Sequence, residues 1–282
     1  MEQHQPMERG ISERAPLFVH QTADGGSSPC VLIHGFGEGA YVWTDLVRHL
    51  PPDYRAFAVD LRGHGYSPRS ADGQYLVRLH MADVVETLDR LALERVVLIG
   101  HSMGGDIAMR IAIAQPARVA ALVIVDVGIE PRHEVVFSTN LALYRSLRAY
   151  PSIDEYLATL VRKRPLAPLD LLRHCATEAL EGTPESGFRL RLDPKFFTPA
   201  NHPRNDTRLD WDMYARIACP TLLVRGAVSA VLPKSVAARL AAAIPGCSLH
   251  EIQGAGHTPM LENPAAFRAE VNGFLDGIRD RL

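Results

Sequence analysis

The sequence of 282 residues has few cysteines, almost no excess charge and no long apolar run. Its four cysteines are Cys30, Cys175, Cys219 and Cys247. They form no CxxC pair, and the histidines form no HExxH motif, so we expect neither a disulfide framework nor a bound metal. The formal net charge of −2, with both signs interspersed, does not favour nucleic acid as a partner.

Two further absences concern the membrane. No uninterrupted apolar run is long enough to cross a bilayer, and the polar N-terminus lacks the apolar core of a signal peptide. We therefore expect a cytoplasmic protein that does not enter a membrane. Residues 1–15 are typical of a flexible leader. The composition leaves the oligomeric state open.

Short apolar runs alternate with helical patterns along most of the chain. The apolar runs lack polar alternation, which is typical of strands buried on both faces of a parallel sheet. The predicted strands are Leu17–His20, Val31–His34, Ala56–Val59, Val96–Ile99, Leu122–Val125, Thr221–Val224 and Ser248–Ile252. Helices are predicted between them, among others at Met103–Ala114, Lys234–Ala243 and Pro264–Ile278. The alternation predicts an α/β fold, a doubly wound and mostly parallel sheet flanked by helices.

Residues 130–205 interrupt this alternation. Prolines separate helix-like segments at Leu141–Leu147, Ile153–Val161 and Leu169–Leu180, and no buried strand is predicted there. We interpret the stretch as a helical cap inserted into a core domain of residues 16–129 and 206–282. It leaves the core at the sheet edge where open α/β sheets bind ligands, which favours a cap over a plain helical excursion packed on the sheet.

The segment Gly100-His101-Ser102-Met103-Gly104 follows a predicted strand and opens a predicted helix. This context is the one that a nucleophile elbow requires, because a strained turn presents the serine hydroxyl above the sheet. The two glycines leave room for the helix to pass close to the strand. The alternative interpretation is a glycine-rich connection with an incidental serine.

A second glycine-rich segment, His34-Gly35-Phe36-Gly37, also follows a predicted strand. At this position the backbone N–H of Phe36 can bind an oxyanion, and the N–H of Met103 is the other predicted donor. Tetrahedral acyl chemistry needs two such donors, each worth about 3 kcal/mol.

The same stretch supports a competing hypothesis. Gly35–Ala40 matches the dinucleotide fingerprint G-x-G-x-x-A, and Asp60 stands about where a ribose-binding acid is found. A nicotinamide or flavin oxidoreductase would fit this pattern. It would leave the serine turn and a late histidine unexplained, so we disfavour it and expect no cofactor.

That late histidine is His257, in the glycine-rich segment after the last predicted strand. From there it can reach Ser102 across the top edge of the sheet, take the serine proton and later protonate the leaving group. A solvated loop histidine is the alternative, but the flanking glycines and the position favour a catalytic base. We interpret His34 and His64 as structural, and His101 as a packing residue of the elbow.

These motifs, with the loop Asp60–Ser67 between them, match in order and spacing the α/β-hydrolase fold superfamily. The chain resembles the branch of small bacterial serine hydrolases with a helical cap. The resemblance implies a hydrolase that cleaves an ester, lactone, thioester or activated C–C bond of a small-molecule substrate. It also accounts for Asp60 without a ribose. We expect the substrate pocket near His34 and Gly35. Phe137 and Tyr144 of the cap either line this pocket above Ser102 or pack the cap onto the body of the protein, which is the commoner role of residues at this spacing.

The sequence departs from the family at the catalytic acid. By resemblance the acid belongs at Ala230, but residues 216–244 contain no carboxylate. In one interpretation Asp126, which ends the neighbouring strand, orients the histidine in its place. In a second, Ser102 and His257 act as a dyad, slowly or in the non-hydrolytic chemistry of a biosynthetic lyase or cyclase. In a third, Ala230 is an altered position in a ligand-binding homologue with weakened catalysis. We favour Asp126.

Overall fold

The computed structural model describes residues 15–22, 26–130, 133–201 and 208–281, so that nearly all of the predicted leader, residues 1–15, lies outside the described residues. The strands within them are β1 Val19–Gln21, β2 Ser28–Ile33, β3 Tyr54–Val59, β4 Val96–His101, β5 Val119–Val125, β6 Leu180–Thr183, β7 Gly187–Leu190, β8 Thr221–Gly226 and β9 Cys247–Ile252. Seven of these strands form one sheet in the order β1-β3-β2-β4-β5-β8-β9. Only β1 is antiparallel to its neighbour, so the predicted mostly parallel sheet is confirmed.

Helices cover both faces of this sheet. Their bounds are α1 Thr44–Arg48, α2 Val77–Arg90, α3 Met103–Ala114, α4 His133–Arg145, α5 Ile153–Lys163, α6 Leu169–Ala179, α7 Trp211–Tyr214, α8 Lys234–Ala243, α9 Pro259–Glu262 and α10 Pro264–Ile278. Successive residues of a central strand point to opposite faces, so Leu98 packs in the core with α2 and α3, whereas Ile99 packs in the core with α10. This double burial explains the unbroken apolar runs. None of the described helices is both long enough and apolar enough to span a bilayer.

The part of the predicted cap that the structure describes contains α4, α5, α6 and the hairpin of β6 and β7. On α5, Tyr156, Leu157 and Leu160 form a buried stripe packed in one core with α6. The hairpin was not predicted, because its strands have four residues each and bury only one residue each, which leaves no apolar run to recognise. Its turn is closed by Ser186, whose hydroxyl accepts the amide N–H of Thr183 at 3.0 Å.

Glycines allow α3 to pass very close to the strands. A Cβ atom on Gly100 would lie 2.3 Å from the carbonyl oxygen of Gly104, and one on Gly104 would lie 2.2 Å from the carbonyl oxygen of Ile33. These obstacles are backbone atoms, which cannot rotate away as a flexible side chain can. The position of α3 against β2 and β4 therefore requires glycine at both places.

We expect Gly104→Ala to lower the free energy of unfolding by about 1–3 kcal/mol or more, because the new methyl group must displace backbone atoms. Gly273→Ala is the matched control, since a Cβ on Gly273 of α10 would meet no neighbouring atom of the described residues within 4 Å. That change should raise the free energy of unfolding by about 0.5–1 kcal/mol through helix propensity. Urea denaturation measures both, and a stabilised Gly104→Ala would contradict the close approach.

Candidate active site

Ser102 stands on the turn that joins β4 to α3. Its backbone has φ 49° and ψ −116°, a conformation that residues other than glycine seldom adopt. The turn is fixed by the amide N–H of Ser102, which donates to the carbonyl oxygen of Val125 at 2.9 Å. The residue is partly exposed at the carboxyl edge of the sheet. The serine hydroxyl is therefore presented on a strained turn, as nucleophilic attack requires.

His257 lies on the loop between β9 and α9. Its Nε2 is 3.1 Å from Ser102 Oγ, and its Nδ1 is 2.8 Å from Asp126 Oδ1. The loop is held by Glu262, whose carboxylate accepts two of the loop's amide N–H groups at 2.8 and 3.1 Å. The three side chains thus form one continuous chain of hydrogen bonds from carboxylate to imidazole to hydroxyl.

Asp126 directly follows β5 and is fully buried. Besides the His257 ring, its carboxylate accepts the amide N–H of Gly226 at 2.9 Å and the hydroxyl of Ser229 at 2.5 Å. A buried carboxylate requires such donors, and here they fix its orientation. The backbone φ of 45° is left-handed, which aspartate tolerates better than most residues.

The loop after β8 directs Ser229, and not Ala230, toward Asp126. Ala230 is exposed, whereas its neighbour Ser229 is buried and donates to Asp126. Val125 of β5 lies opposite Val224 of β8, so the segments that follow these adjacent parallel strands meet at the sheet edge. The loop therefore contributes a hydroxyl donor to a carboxylate on the neighbouring strand. Nothing in the sequence alone distinguished Ser229 from other loop serines.

The two predicted oxyanion donors are the amide N–H groups of Phe36 and Met103, which have no hydrogen-bond partner among the described residues. Met103 is the first residue of α3, so its amide N–H has no carbonyl partner within the helix. Phe36 lies on the turn after β2, and among the hydrogen bonds of the described residues none uses its amide N–H. The amides of its two sequence neighbours both donate to side chains, each at 3.1 Å.

One of those side chains is the buried His64. The amide N–H of Gly37 donates to its Nε2 at 3.1 Å, and its Nδ1 donates to the carbonyl oxygen of Arg62 at 3.1 Å. Burial, together with the nearby imidazoles of His34 and His80, lowers the pKa of His64 well below its usual range. The ring is therefore neutral, which leaves Nε2 free to accept and holds the turn in place.

A charged cluster lies beside the turn of Ser102 and the loop of His257. His101 is buried, with Nδ1 2.8 Å from Glu38 Oε2 and Nε2 2.7 Å from the backbone oxygen of His257. Arg164, at the end of α5, lies 3.6 Å from Glu38 Oε1 and donates to Thr258 Oγ1 at 2.8 Å. From the sequence, His101 was interpreted as a packing residue, and neither Glu38 nor Arg164 was assigned to the site. The one signal in the sequence is Glu38 itself, a glutamate inside an otherwise apolar, glycine-rich segment.

The residues predicted to line a pocket occupy different environments. His34 is fully buried, with Nδ1 donating to the Gly35 carbonyl at 2.7 Å and Nε2 accepting a backbone N–H at 2.9 Å. Gly35 is buried in the turn beside it. On α4, Tyr144 packs edge-on against Phe197, with ring centroids 5.4 Å apart, whereas Phe137 is 69% exposed. The contacts of His34 are therefore structural, and its ring does not face a pocket.

The contacts of Asp60 are structural, which removes the main argument for a dinucleotide-binding site. Its carboxylate accepts the amide N–H groups of Ala40 and Tyr66 at 2.7 and 3.0 Å, and pairs with His20 Nε2 at 3.1 Å. The residue is only 1% exposed, so its oxygens do not face a ribose. It ties the loop that follows β3 to the turn before α1.

Known proteins share this architecture. A family model of the alpha/beta hydrolase fold matches residues 29–264. The 2-hydroxymuconate semialdehyde hydrolase of Pseudomonas sp. strain CF600 is 30% identical, covering 89% of this chain and 88% of that protein. The esterase Rv0045c of Mycobacterium tuberculosis is 29% identical, covering 89% and 84%. The crystal structure of E-2-(acetamidomethylene)succinate hydrolase has a TM-score of 0.82 at 23% identity, covering 92% and 95%.

The chain belongs to the α/β hydrolase fold family. The family model spans most of the chain, and the relative from Pseudomonas reaches 30% identity over nearly the full length of both proteins. The enzyme class that these findings support is a hydrolase, as predicted from the sequence. The solved structure below 25% identity supports the fold alone.

Ser229→Ala removes a hydroxyl donor from Asp126 and should slow labelling of Ser102 by a fluorophosphonate probe roughly tenfold, because a hydrogen bond to a charged group is worth about 1.5–3 kcal/mol. Ala230→Asp is the matched change in the same loop. Since residue 230 is exposed and His257 Nδ1 already has a partner, we expect no gain in labelling rate. A large gain from Ala230→Asp would show instead that the acid has been lost from that position.

Proposed function

We propose that the protein hydrolyses a carboxylic ester, lactone or thioester of a small molecule through an acyl-enzyme on Ser102. The observation that carries this proposal is the chain of hydrogen bonds from Asp126 to His257 at 2.8 Å and from His257 to Ser102 at 3.1 Å. It ends at a hydroxyl on a strained turn, beside two amide N–H groups that have no partner among the described residues.

In the acylation step, Ser102 Oγ attacks the substrate carbonyl carbon while His257 Nε2 takes the serine proton. The carbonyl oxygen becomes an oxyanion, which the N–H groups of Phe36 and Met103 stabilise. Asp126 holds the imidazole in the tautomer with Nδ1 protonated and stabilises its cationic form. His257 then returns the proton to the leaving alcohol or thiol as the bond from the carbonyl carbon breaks.

In the deacylation step, water attacks the acyl group on Ser102 and His257 takes a proton from that water. The same two amides stabilise the second oxyanion. Collapse of this intermediate breaks the bond from the carbonyl carbon to Ser102 Oγ, and His257 returns the proton to the serine. The carboxylic acid leaves, and the residues named here supply each proton transfer.

The relatives that match most of the chain include the esterase of Mycobacterium tuberculosis, which supports an ester as the bond that is cleaved. The packing of aromatic side chains supports a substrate with an apolar portion. Beside the oxyanion turn, Phe36 packs against Phe196 and Phe197, with ring centroids 5.2 and 5.8 Å apart, and Phe197 packs against Tyr144 of the cap. We assign this aromatic group, Phe36, Tyr144, Phe196 and Phe197, to the acyl or alcohol portion of the substrate.

Ser102→Ala should abolish turnover of whichever members of an ester, lactone and thioester panel the unmodified protein hydrolyses, because the nucleophile is removed. A fluorophosphonate probe followed by mass spectrometry should place the label of the unmodified protein on Ser102. The exposed Ser138, which lies on α4, provides a control: Ser138→Ala should leave turnover and labelling unchanged.

Other outcomes would overturn the proposal. Turnover that survives Ser102→Ala would exclude this serine as the nucleophile. Labelling of Ser102 without turnover of any panel member would favour a lyase or cyclase. Tight binding of a small molecule without labelling would favour a ligand-binding protein with weakened catalysis.

Asp126→Asn should lower kcat on the best panel substrate by a factor on the order of 10⁴, because the amide does not stabilise the imidazole tautomer and cation as a carboxylate does. Steady-state kinetics of the purified variant measure this, with circular dichroism to confirm its folding. Full activity of Asp126→Asn would contradict the assigned acid and favour a serine–histidine dyad.

A further inference from the structure

His101, the residue immediately before Ser102, lies between two hydrogen-bond acceptors. Its ring is 1% exposed, with Nδ1 2.8 Å from Glu38 Oε2 and Nε2 2.7 Å from the backbone oxygen of His257. A carbonyl oxygen and an ionised carboxylate both accept and cannot donate. A neutral imidazole has one N–H and can satisfy only one of them. The two contacts together require an imidazolium that donates from both nitrogens.

The surroundings of Glu38 keep its carboxylate ionised. It accepts the amide N–H of Gly35 at 3.1 Å, and Arg164 lies 3.6 Å away. Burial would raise the pKa of Glu38, but His101 and Arg164 outweigh it and hold that pKa below its usual range. Burial would likewise lower the pKa of His101, but Glu38 outweighs it and the pKa of His101 is raised. The buried pair is therefore a charged one.

Charges from several elements face His101. Glu38 lies on the turn after β2 and Asp126 lies at the end of β5. Both carboxylates stabilise the protonated, cationic ring of His101. His34 lies near enough for mutual repulsion when both rings are charged, and its own pKa is lowered, first by burial. The His257 ring centroid is 4.7 Å away. Against these two carboxylates stands the permanent positive charge of Arg164, which lies 3.6 Å from Glu38 Oε1.

We propose that His101 is a positioning residue that works as an imidazolium. It joins the backbone of the His257 loop to Glu38, and Glu38 in turn holds the oxyanion turn through the amide of Gly35. The general base and one oxyanion donor are thereby kept at a fixed spacing on either side of Ser102. This inference rests on the proposed function.

Arg164 extends the same network to the cap. Its Nε donates at 2.8 Å to Thr258 Oγ1, one residue after His257, and its guanidinium also pairs with Glu38. The side chain is 19% exposed, so it lies mostly out of solvent. The loop of the general base is therefore tied to the oxyanion turn directly through His101 and, on its other side, through a residue of the cap.

The sign of the pH dependence follows from the raised pKa. Below that pKa the ring donates both hydrogen bonds; as the pH rises through it, one bond is lost and the loop of His257 is released. We therefore expect kcat to fall on the alkaline side, with KM little changed, because His101 does not contact the substrate. The contribution of His101 to folding stability is lost over the same alkaline range.

Two substitutions separate the contacts of His101. His101→Gln places an amide N–H near the position of Nε2, where it can still donate to the His257 carbonyl without a charge. His101→Asn places one near Nδ1 and loses that contact. We expect kcat to fall roughly 10- to 100-fold in His101→Asn and less in His101→Gln, because small displacements of catalytic groups have large effects on rate. Both should lose the alkaline limb of the pH profile.

His250→Gln is the matched control, because His250 forms an exposed pair with Glu270 at 2.5 Å on another part of the surface. It should leave kcat and the pH profile unchanged. A pH profile in His101→Gln and His101→Asn that matches the unmodified protein would overturn the proposal. So would an equal fall of kcat in both variants with the alkaline limb retained.

Nuclear magnetic resonance of ¹⁵N-histidine in the Ser102→Ala protein tests protonation without any turnover. We expect both ring nitrogens of His101 to carry protons at pH 6.5, where an ordinary imidazole is about half protonated, with the signals assigned by their loss in a Ser102→Ala/His101→Gln protein. A neutral His101 ring would overturn the inference whether or not the protein is a serine hydrolase. Turnover that survives Ser102→Ala would overturn the proposed function and leave the measured protonation of His101 standing.

Discussion

Helix α3 approaches β2 and β4 so closely that backbone atoms occupy the space where side chains of Gly100 and Gly104 would lie. This contact bends the chain sharply at Ser102 and gives that residue its left-handed conformation. It also aims the N-terminus of α3 at the sheet edge, where the N–H of Met103 and the positive end of the helix dipole would stabilise the negative charge of the proposed oxyanion. The positions of the proposed nucleophile and of one proposed oxyanion donor thus follow from one packing constraint.

The rest of the site is assembled from the ends of neighbouring strands. Because β2, β4, β5, β8 and β9 run parallel, the segments that follow them meet at one edge of the sheet. Asp126 follows β5, and it accepts hydrogen bonds from Gly226 at the end of β8 and from Ser229 in the loop after it. The proposed catalytic acid needs a buried position, hydrogen-bond donors and a contact with His257 Nδ1. These requirements do not prescribe one particular strand, which is consistent with an alanine at position 230.

The strands and the elbow could be predicted because their signals are local. Burial on both faces leaves unbroken apolar runs, and the steric demand at α3 leaves glycines at fixed spacing from Ser102. Asp126 could be proposed from the sequence because the fold topology places β5 beside β8. The cluster of Glu38, His101 and Arg164 could not be predicted, because it depends on three segments that are distant in sequence and on the directions of their side chains at the sheet edge. The hairpin of β6 and β7 could not be predicted because it buries too little apolar surface.

The position of Asp126 has a consequence for the order in which the site forms. Ser102 and Asp126 follow β4 and β5, which are joined through α3 in a single β-α-β unit, so the proposed nucleophile and the proposed acid become neighbours through contacts of short sequence separation. His257 is 131 residues from Asp126 and comes from the far side of the cap segment. Contacts of low sequence separation close with little loss of chain entropy and form early. We therefore expect the proposed base, His257, which closes the largest loop of the site, to be the last of the three to reach its place during folding.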